Sequence, residues 1–518
     1  MTDRELLELE RWTERLVRRA RAEGLDFYEM RFEVVPADVL YSVGAYGMPT
    51  RFSHWSFGKA FHRMKTEYDY NLSRIYELVV NSDPCYAFLL DGNTLAQNKL
   101  VVAHVLAHSD FFKNNWRFAG TSHFVMDNMA AHAERIARYE FRYGKEAVER
   151  LLDAALALAE QVDPHPVGPP SEPDDEDEEP GALEPARPST PYDDLWELDR
   201  RLGPSQAAEG RDLAATPTPR PGQRPAQGRS AGFTLQSSEP RRRSEGHRET
   251  VRRPPGARRH PIRPERDLLR FIMQHSEYLE AWQRDVLAMV REEALYFWPQ
   301  IETKIMNEGW ATYWHAILMR DEELGEAEAL EFARMHASVV QPYRLQLNPY
   351  LLGWKLFQSI EARWECPSEE DRTRLGLPGG QGREKIFEVR QLETDVGFIR
   401  NYLTRSLVEE LHLVSLVRRG DEWQVESTGW REVRDALAAR LANGGIPVIV
   451  VEDGDYGGKG ELLLRHQYEG QELDLHHLER TLPYVFDLWG RPVHLMTTVE
   501  GKQALFSYDG ESHHRTVV

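Results

Sequence analysis

The stretch AQNKLVVAHVLAHSDFFKNN, residues 96–115, decides the fold of this chain. Its apolar residues recur at the three-to-four spacing of a helix, and two histidines and an aspartate interrupt them. The same spacing recurs at residues 3–24, 73–80 (SRIYELVV), 123–144, 147–162, 266–300 and 304–321. Repeated amphipathic segments of this kind predict a domain in which helices pack on helices.

Residues 26–61 interrupt the helical pattern. They begin with alternating, strand-favouring residues, and turn formers mixed with aromatic residues follow in GAYGMPTRFSHWSFGKAF, residues 44–61. We predict a structured loop that covers the helical core.

A change of composition divides the helical segments into two groups. Residues 163–264 contain the acidic run PSEPDDEDEEPG and then a basic tract rich in proline, glycine and serine. Such a segment buries too little apolar area to offset the entropy of ordering. The sequence therefore predicts a helical core in two parts, 1–162 and 265–384, interrupted by a disordered charged linker at 163–264. The alternative for its basic tract is a docking site for an acidic partner.

Residues 385–518 show a different pattern. Strand-like segments alternate with helical ones in the order strand, helix, strand, strand, helix, strand, beginning with EELHLVSLVRRG (residues 409–420) and EWQVEST. That order is typical of a split βαβ unit. The predicted fold class is therefore mainly α, with a C-terminal α+β domain of ferredoxin-like arrangement.

Charge and composition exclude several classes of protein. A net charge of -20 argues against binding nucleic acid over a broad surface. No apolar run is long enough to cross a bilayer, and the charged N-terminus does not resemble a signal peptide, so we expect a cytoplasmic protein. The two cysteines, Cys85 and Cys366, offer neither a disulfide framework nor a thiolate zinc site.

Two histidines four positions apart are the first candidate for chemistry. His104 and His108 project from one face of the predicted helix, about 6 Å apart along its axis. That spacing suits two ligands of one metal ion, and zinc is the expected metal. In the HExxH motif of zinc peptidases a glutamate follows the first histidine, but here Val105 stands in that position.

Glu308, in the segment MNEGWATYWH (residues 306–315), is the candidate third ligand. Its EGWA context is similar to the third-ligand helix of some zinc peptidases. His315 lies about 10.5 Å further along the same helix, too far to share one ion with Glu308, so we expect it behind the ligands or facing a substrate. The alternative is that these histidines are buried core residues satisfied by carboxylates.

Other polar residues stand in apolar or aromatic surroundings. If water on a metal attacked a carbonyl, Glu77 or Asp110 would be the candidate base. His336 or Tyr350 would then donate a hydrogen bond to the developing oxyanion. His54, in SHWSFGK, is expected to support the site without binding the metal.

Several long motifs resemble the stage V sporulation protein R (SpoVR) family. They occur in the family's order at residues 44–59, 76–93 (YELVVNSDPCYAFLLDGN), 104–115, 306–315 and 347–360 (LNPYLLGWKLFQSI). The resemblance covers residues 5–160 and 265–518. His104, His108 and Glu308 match the HxxxH and NEGWA positions of the family.

The resemblance implies a role in spore cortex formation, or in stress and starvation responses outside sporulating bacteria. It also implies two partners, a PrkA-type serine kinase and a von Willebrand-like protein. Two functional hypotheses follow. The first is a zinc-dependent hydrolase of an amide bond in a peptidoglycan-related substrate. The second is a non-catalytic scaffold that assembles a complex with the kinase.

Overall fold

The computed structural model describes residues 1–70, 77–165, 260–320, 324–342, 346–419 and 422–517. Within these ranges the α-helices are α1 (Asp3–Ala22), α2 (Ala37–Tyr46), α3 (Trp55–Asp69), α4 (Leu95–Asn114), α5 (Val125–Tyr143), α6 (Lys145–Ala157), α7 (Leu268–His275), α8 (Ala281–Glu302), α9 (Lys304–Arg320), α10 (Glu326–Val339), α11 (Pro349–Glu365), α12 (Glu369–Leu375), α13 (Gly382–Leu392), α14 (Asp395–Tyr402), α15 (Arg405–Glu410), α16 (Trp430–Leu441) and α17 (Leu475–Trp489). The strands are β1 (Met30–Val35), β2 (Glu77–Val80), β3 (Cys85–Leu90), β4 (Ser415–Arg419), β5 (Glu422–Ser427), β6 (Ile449–Tyr456), β7 (Glu461–His466), β8 (Val493–Val499), β9 (Lys502–Tyr508) and β10 (His513–Val517).

Helix α4 runs through the centre of the larger hydrophobic core. A capping box between Thr94 and Gln97 begins the helix, because the side chain of each residue accepts a hydrogen bond from the backbone N–H of the other. Nearly every side chain from Ala96 to Phe112 is buried, so the helix has no solvent face along most of its length. It packs against α1, α9, α10 and α13. The polar side chains on this part of α4 therefore lie in the core as well.

Helices α9 and α11 cross at two glycines. A Cβ atom added to Gly309 would lie 2.4 Å from the backbone of Gly353, and one added to Gly353 would lie 2.1 Å from the carbonyl oxygen of Ile305. Real Cβ atoms do not approach backbone so closely, and hence this crossing requires glycine on both helices. The contact fixes α9 beside α11 one residue from Glu308.

A buried carboxylate caps the start of α9. Asp395, the first residue of α14, accepts hydrogen bonds from the backbone N–H groups of Ile305 and Met306 at 2.8 and 2.9 Å. Two of the donors that a helix leaves unpaired at its N-terminus are satisfied in this way. Helix α9 is thus anchored at its first turn by a residue about ninety positions away in sequence.

A three-stranded sheet lies within the part predicted to be helical or looped. Its order is β1-β3-β2, with β1 parallel and β2 antiparallel to the central β3. The helical prediction for SRIYELVV was wrong at residues 77–80, which form β2. A short apolar run with adjacent valines suits a buried strand as well as a helix, and periodicity alone does not separate the two. The predicted loop at 26–61 contains β1, α2 and the start of α3.

The C-terminal region contains a five-stranded sheet of order β10-β9-β8-β7-β6. Neighbouring strands are antiparallel except β7 and β8, which are parallel and joined through α17. Helices α6, α7, α8 and α17 share a hydrophobic core with this sheet.

The C-terminal α+β character is as predicted, but the ferredoxin-like arrangement is not confirmed. The first predicted strand, at 409–420, contains the end of α15 followed by β4. Strand β5 pairs with β4 in a separate two-stranded sheet, while β9 and β10 extend the larger sheet. The split βαβ order therefore lacks its first strand in the main sheet.

The described residues belong to one compact unit, Met1–Pro166 together with Arg253–Val518. The predicted linker at 163–264 lies outside the described residues except at its two ends, and the domain boundary at 384/385 stays a prediction. Helices α13 to α16 contribute to the same core as α4 and α9. In the described part of the chain, none of the helices has the length and apolar character required to cross a membrane.

Candidate metal centre

Two helices bring three ligand-type side chains together in the core. His104 and His108 project from α4, and Glu308 projects from the second turn of α9. One ligand atom from each residue lies within 4.8 Å of the other two. Both imidazoles are buried, and the carboxylate is 19% exposed. The cluster thus joins residues from opposite sides of the insertion at 163–264.

The distances in this cluster fit donors that share a cation better than donors that bond to one another. The Glu308 Oε2 atom lies 3.8 Å from His104 Nε2 and 3.5 Å from His108 Nε2. This oxygen is buried and accepts no hydrogen bond. Tetrahedral ligands bound at about 2.0–2.1 Å are separated by about 3.3 Å from each other, close to the observed spacing. Two imidazoles and one carboxylate also form a ligand set found in catalytic zinc sites.

The outer nitrogens of both histidines have partners of their own. His108 Nδ1 lies 2.8 Å from Asn307 Oδ1, which can only accept, so Nδ1 carries the proton. His104 Nδ1 lies 2.9 Å from His315 Nδ1, and His315 Nε2 lies 2.9 Å from His336 Nδ1. If His104 Nδ1–H donates to His315 and His315 Nε2–H donates to His336, the Nε2 atom of His104 keeps its lone pair for a metal, as does the Nε2 atom of His108. An oxygen acceptor on the outer ring nitrogen, such as Asn307 on His108, is typical of histidine ligands.

Burial favours the neutral form of His108 and His315, and the neutral imidazole is the form that binds metals. Desolvation, together with the electrostatic effect of the neighbouring His104 ring, lowers the pKa of His108 to about 4. The pKa of His315 is well below its usual value, because the ring is fully buried and adjoins other histidines. Burial alone would raise the pKa of Glu308, but interactions with His104 and His108 outweigh it and the net shift is downward. A neutral His108 imidazole beside the Glu308 carboxylate is the result.

Comparison with protein families decides where this chain belongs. The family model described as "SpoVR like protein" matches residues 3–446, and the model described as "SpoVR-like C-terminal domain" matches residues 447–500. The chain belongs to the SpoVR family. Both candidate ligand helices lie within the first match.

The SpoVR relatives include a full-length match. "Uncharacterized protein YcgB" of Escherichia coli (strain K12) is 30% identical over 501 residues, covering 92% of this chain and 89% of that protein. No solved structure matches this SpoVR chain. The comparisons therefore establish the family and leave its chemistry to be inferred from the site.

Asp110, one of the two candidate bases, has a different environment from the histidines. Its carboxylate accepts hydrogen bonds from the Trp310 indole at 2.8 Å and from the backbone N–H of Asp26 at 2.8 Å, and Arg390 lies 3.3 Å away. Burial raises the pKa of Asp110 to about 6, against the effect of Arg390. These contacts favour a role in holding α4 against α9 and α13 over a role as a base.

The remaining candidates lie at different distances from the ligands. Tyr350 stacks on His104, with ring centroids 6.2 Å apart, while His336 is linked to His104 only through His315. The Glu77 side chain lies outside the described residues. His54 is placed at the contact of α3 and α6, where Nδ1 bonds to Ser56 and Nε2 lies 3.1 Å from Asp153.

Asn307 is a residue of the candidate site that the sequence analysis missed. It directly precedes Glu308 and supplies the acceptor for His108. The signal was present, because a histidine ligand usually donates its other ring N–H to an oxygen acceptor, and Asn307 offers one next to a candidate ligand. The sequence did not predict that the Asn307 side chain points toward His108, since side chains at neighbouring positions on a helix, such as Asn307 and Glu308, point about 100° apart.

Proposed function

We propose that this SpoVR protein is a zinc-dependent hydrolase that cleaves an amide bond in a peptidoglycan-related substrate. The observation that carries the proposal is the convergence of His104, His108 and Glu308, with the buried Glu308 Oε2 left without a hydrogen-bond donor. A buried carboxylate oxygen without a partner is costly, and a cation between it and the two Nε2 atoms removes that cost.

The residues of the chain would hold zinc and orient it. His104 and His108 would bind through Nε2, and Glu308 through Oε2, while His315 and Asn307 fix the rotation of the two rings. When bound by three protein ligands, zinc supplies Lewis acidity and lowers the pKa of a water in its open position to about 7.

Of the two candidate oxyanion donors, Tyr350 has a ring that contacts His104, whereas His336 is linked to His104 through His315. The Tyr350 ring lies nearly parallel to that of His104, at an interplanar angle of 24°. A phenol there would position a substrate carbonyl or donate to an oxyanion. Glu77 remains the candidate base, because the Asp110 carboxylate already has Trp310, Asp26 and Arg390 as partners.

Metal analysis tests the first half of the proposal. Protein purified without a histidine tag should contain about one equivalent of zinc, and the double variant His104→Ala, His108→Ala should contain almost none. The matched control is His260→Ala, His275→Ala, which removes another pair of touching histidines, with nitrogens 3.1 Å apart. Equal metal content in wild type and the His104, His108 variant would refute the site. If the protein contains another first-row metal, the proposed site stands and only the identity of the metal changes.

Substrate hydrolysis tests the second half. Purified peptidoglycan fragments should release a new amine with the wild type, and Glu308→Gln should abolish the release while leaving the fold intact. Stoichiometric zinc without any amide cleavage would overturn the hydrolase and retain only the metal site.

The family also motivates proposals about biological context. A role in spore cortex formation or stress response, and partnership with a PrkA-type serine kinase and a von Willebrand-like protein, are inferred from the family resemblance. Co-purification of the kinase with wild type and with the His104, His108 variant would show whether a complex forms independently of the metal cluster, as a scaffold requires.

A further inference from the structure

A cavity lies at the C-terminal sheet, and no residue of the histidine cluster lines it. It has a volume of about 590 Å³ and lies between the end of α6, the end of α16, strands β6 to β8 and α17. Its floor consists of buried aliphatic side chains, among them Leu268, Leu464, Leu482, Val485 and Leu495. Cavities of 300–1,000 Å³ with apolar walls are typical of small-molecule sites.

One buried polar side chain stands on the wall of this apolar cavity. His466 is 7% exposed, and its Nδ1 lies 2.9 Å from the hydroxyl of Thr497. If Nδ1–H donates to that hydroxyl, Nε2 is left with a lone pair that can accept a hydrogen bond from an N–H group of a ligand. Burial lowers the pKa of His466, so the ring is neutral at physiological pH. His466 is therefore the buried uncharged hydrogen-bonding group beside the aliphatic floor, whereas the amide and hydroxyl side chains of Gln161, Asn443, Gln467, Gln471 and Thr481 line more exposed parts of the cavity.

The rim of the cavity carries mostly negative charge. Glu160, Glu469, Glu472 and Asp474 line it, and Arg440 is the guanidinium among the lining residues. A carboxylate or phosphate on a ligand would be repelled by this rim, whereas a neutral or cationic molecule would not. The charge pattern therefore excludes fatty acids and nucleotides as favoured ligands.

The cavity also lies where the two family segments meet. Its walls include residues from 157–161 and 439–446, within the first family match, and residues from 447–495, within the second. A molecule bound there would contact both segments at once.

We propose that this cavity binds a small, neutral or cationic molecule with an apolar body and one hydrogen-bonding group, which His466 contacts. The site joins the helical segment to the C-terminal segment, and it is independent of the proposed hydrolase. Ligand binding would stabilise the junction of the two, because a ligand that binds only the folded state adds to its stability.

Fluorescent probes test the proposal on the full chain. N-phenylnaphthylamine is neutral and apolar with one N–H group, and anilinonaphthalene sulfonate has the same rings with an added negative charge. We expect saturable binding of the neutral probe to one site, and at least tenfold weaker binding of the sulfonate. The His104→Ala, His108→Ala variant should bind the neutral probe as wild type does. The probe experiment therefore tests the cavity proposal independently of the metal-site proposal.

Two exposed alanines of α6 supply matched variants. Ala157 lines the cavity, whereas Ala147 lies on the same helix and does not line it. Ala157→Trp should weaken the neutral probe at least tenfold, and Ala147→Trp should leave its affinity unchanged. His466→Phe keeps the ring but removes the hydrogen bond, and it should weaken the probe about 2- to 10-fold. Absence of saturable binding, or equal affinity in the two tryptophan variants, would overturn the proposal.

Discussion

The glycine crossing of α9 and α11 gives the sharpest prediction about the metal centre. In Gly353→Ala the new methyl group would lie 2.1 Å from the Ile305 carbonyl oxygen and 2.7 Å from the Gly309 Cα atom. Ordinary contacts between carbon atoms are about 3.5–4.0 Å, so the helices must separate by about 1 Å. Because both clashing partners are backbone, no side chain can rotate away to accommodate the methyl group.

The energetic consequence follows from this geometry. Overpacking a core usually costs about 1–3 kcal/mol, and a clash with backbone belongs at the upper end of that range. The intrinsic helix preference of alanine over glycine would act in the opposite direction, by about 1 kcal/mol. We expect Gly353→Ala to lower the free energy of unfolding by about 2 kcal/mol or more.

The displacement should also reach the proposed zinc site. Metal–ligand distances vary by only about 0.2 Å in well-formed sites, and Glu308 directly precedes Gly309 at the crossing. A shift of about 1 Å in α9 should therefore weaken zinc binding at least tenfold. Urea denaturation followed by circular dichroism measures the stability, and competition with a chromophoric chelator measures the affinity.

Gly58→Ala is the matched control. Gly58 lies within α3, and a Cβ atom added there meets nothing within 4 Å. This variant should gain about 0.5–1 kcal/mol and leave zinc affinity unchanged. If Gly353→Ala were as stable as wild type and bound zinc equally well, the close crossing would not position Glu308 and the reasoning would fail.

Two further predictions concern residues that hold the site in place. Asn307→Ala removes the acceptor for His108 Nδ1 and should weaken zinc binding about 10- to 100-fold in the same chelator competition. Asn307→Asp keeps an acceptor and should bind zinc nearly as wild type does. Burial raises the pKa of Asp395 to about 7 from an ordinary 3.8, so between these values the folded protein holds a proton that the unfolded chain releases. Stability from Asp395 is therefore complete below pH 4 and declines, by up to roughly 4 kcal/mol, as the pH rises to about 7. Urea denaturation across that range should show a smaller decline in Asp395→Asn, and identical slopes in the two proteins would contradict the raised pKa.

Sequence patterns predicted the helical core well because its helices carry long, regular signals. Residues 96–115 form α4 almost as predicted, and the pair His104 and His108 projects toward Glu308 across the large gap in sequence. The strands β2 and β3 were missed, and β1 was seen only as alternating, strand-favouring residues within a predicted loop, because the three strands have just four to six residues each. Local pattern cannot reveal strand pairing between distant segments.

The surroundings of the site were harder to predict than its ligands. Asp110 looked like a base in the sequence, yet its partners Trp310 and Arg390 come from helices 200 and 280 positions away. The row from His104 through His315 to His336 also depends on how α4, α9 and α10 pack. Residue type and spacing suggest which side chains bind a metal, whereas tertiary packing decides what holds them.

The division of the ligands between α4 and α9 has a consequence for any broken form of the molecule. A single cut between residues 166 and 259 would leave both histidines on one fragment and the carboxylate on the other. Neither fragment alone could assemble the three-ligand cluster. Helices α4 and α9 nevertheless pack against each other in the core, and this contact does not require the two fragments to be covalently joined. Fragments 1–165 and 260–518, produced together, should therefore associate into a single complex. Zinc bound by ligands from both fragments should strengthen that association.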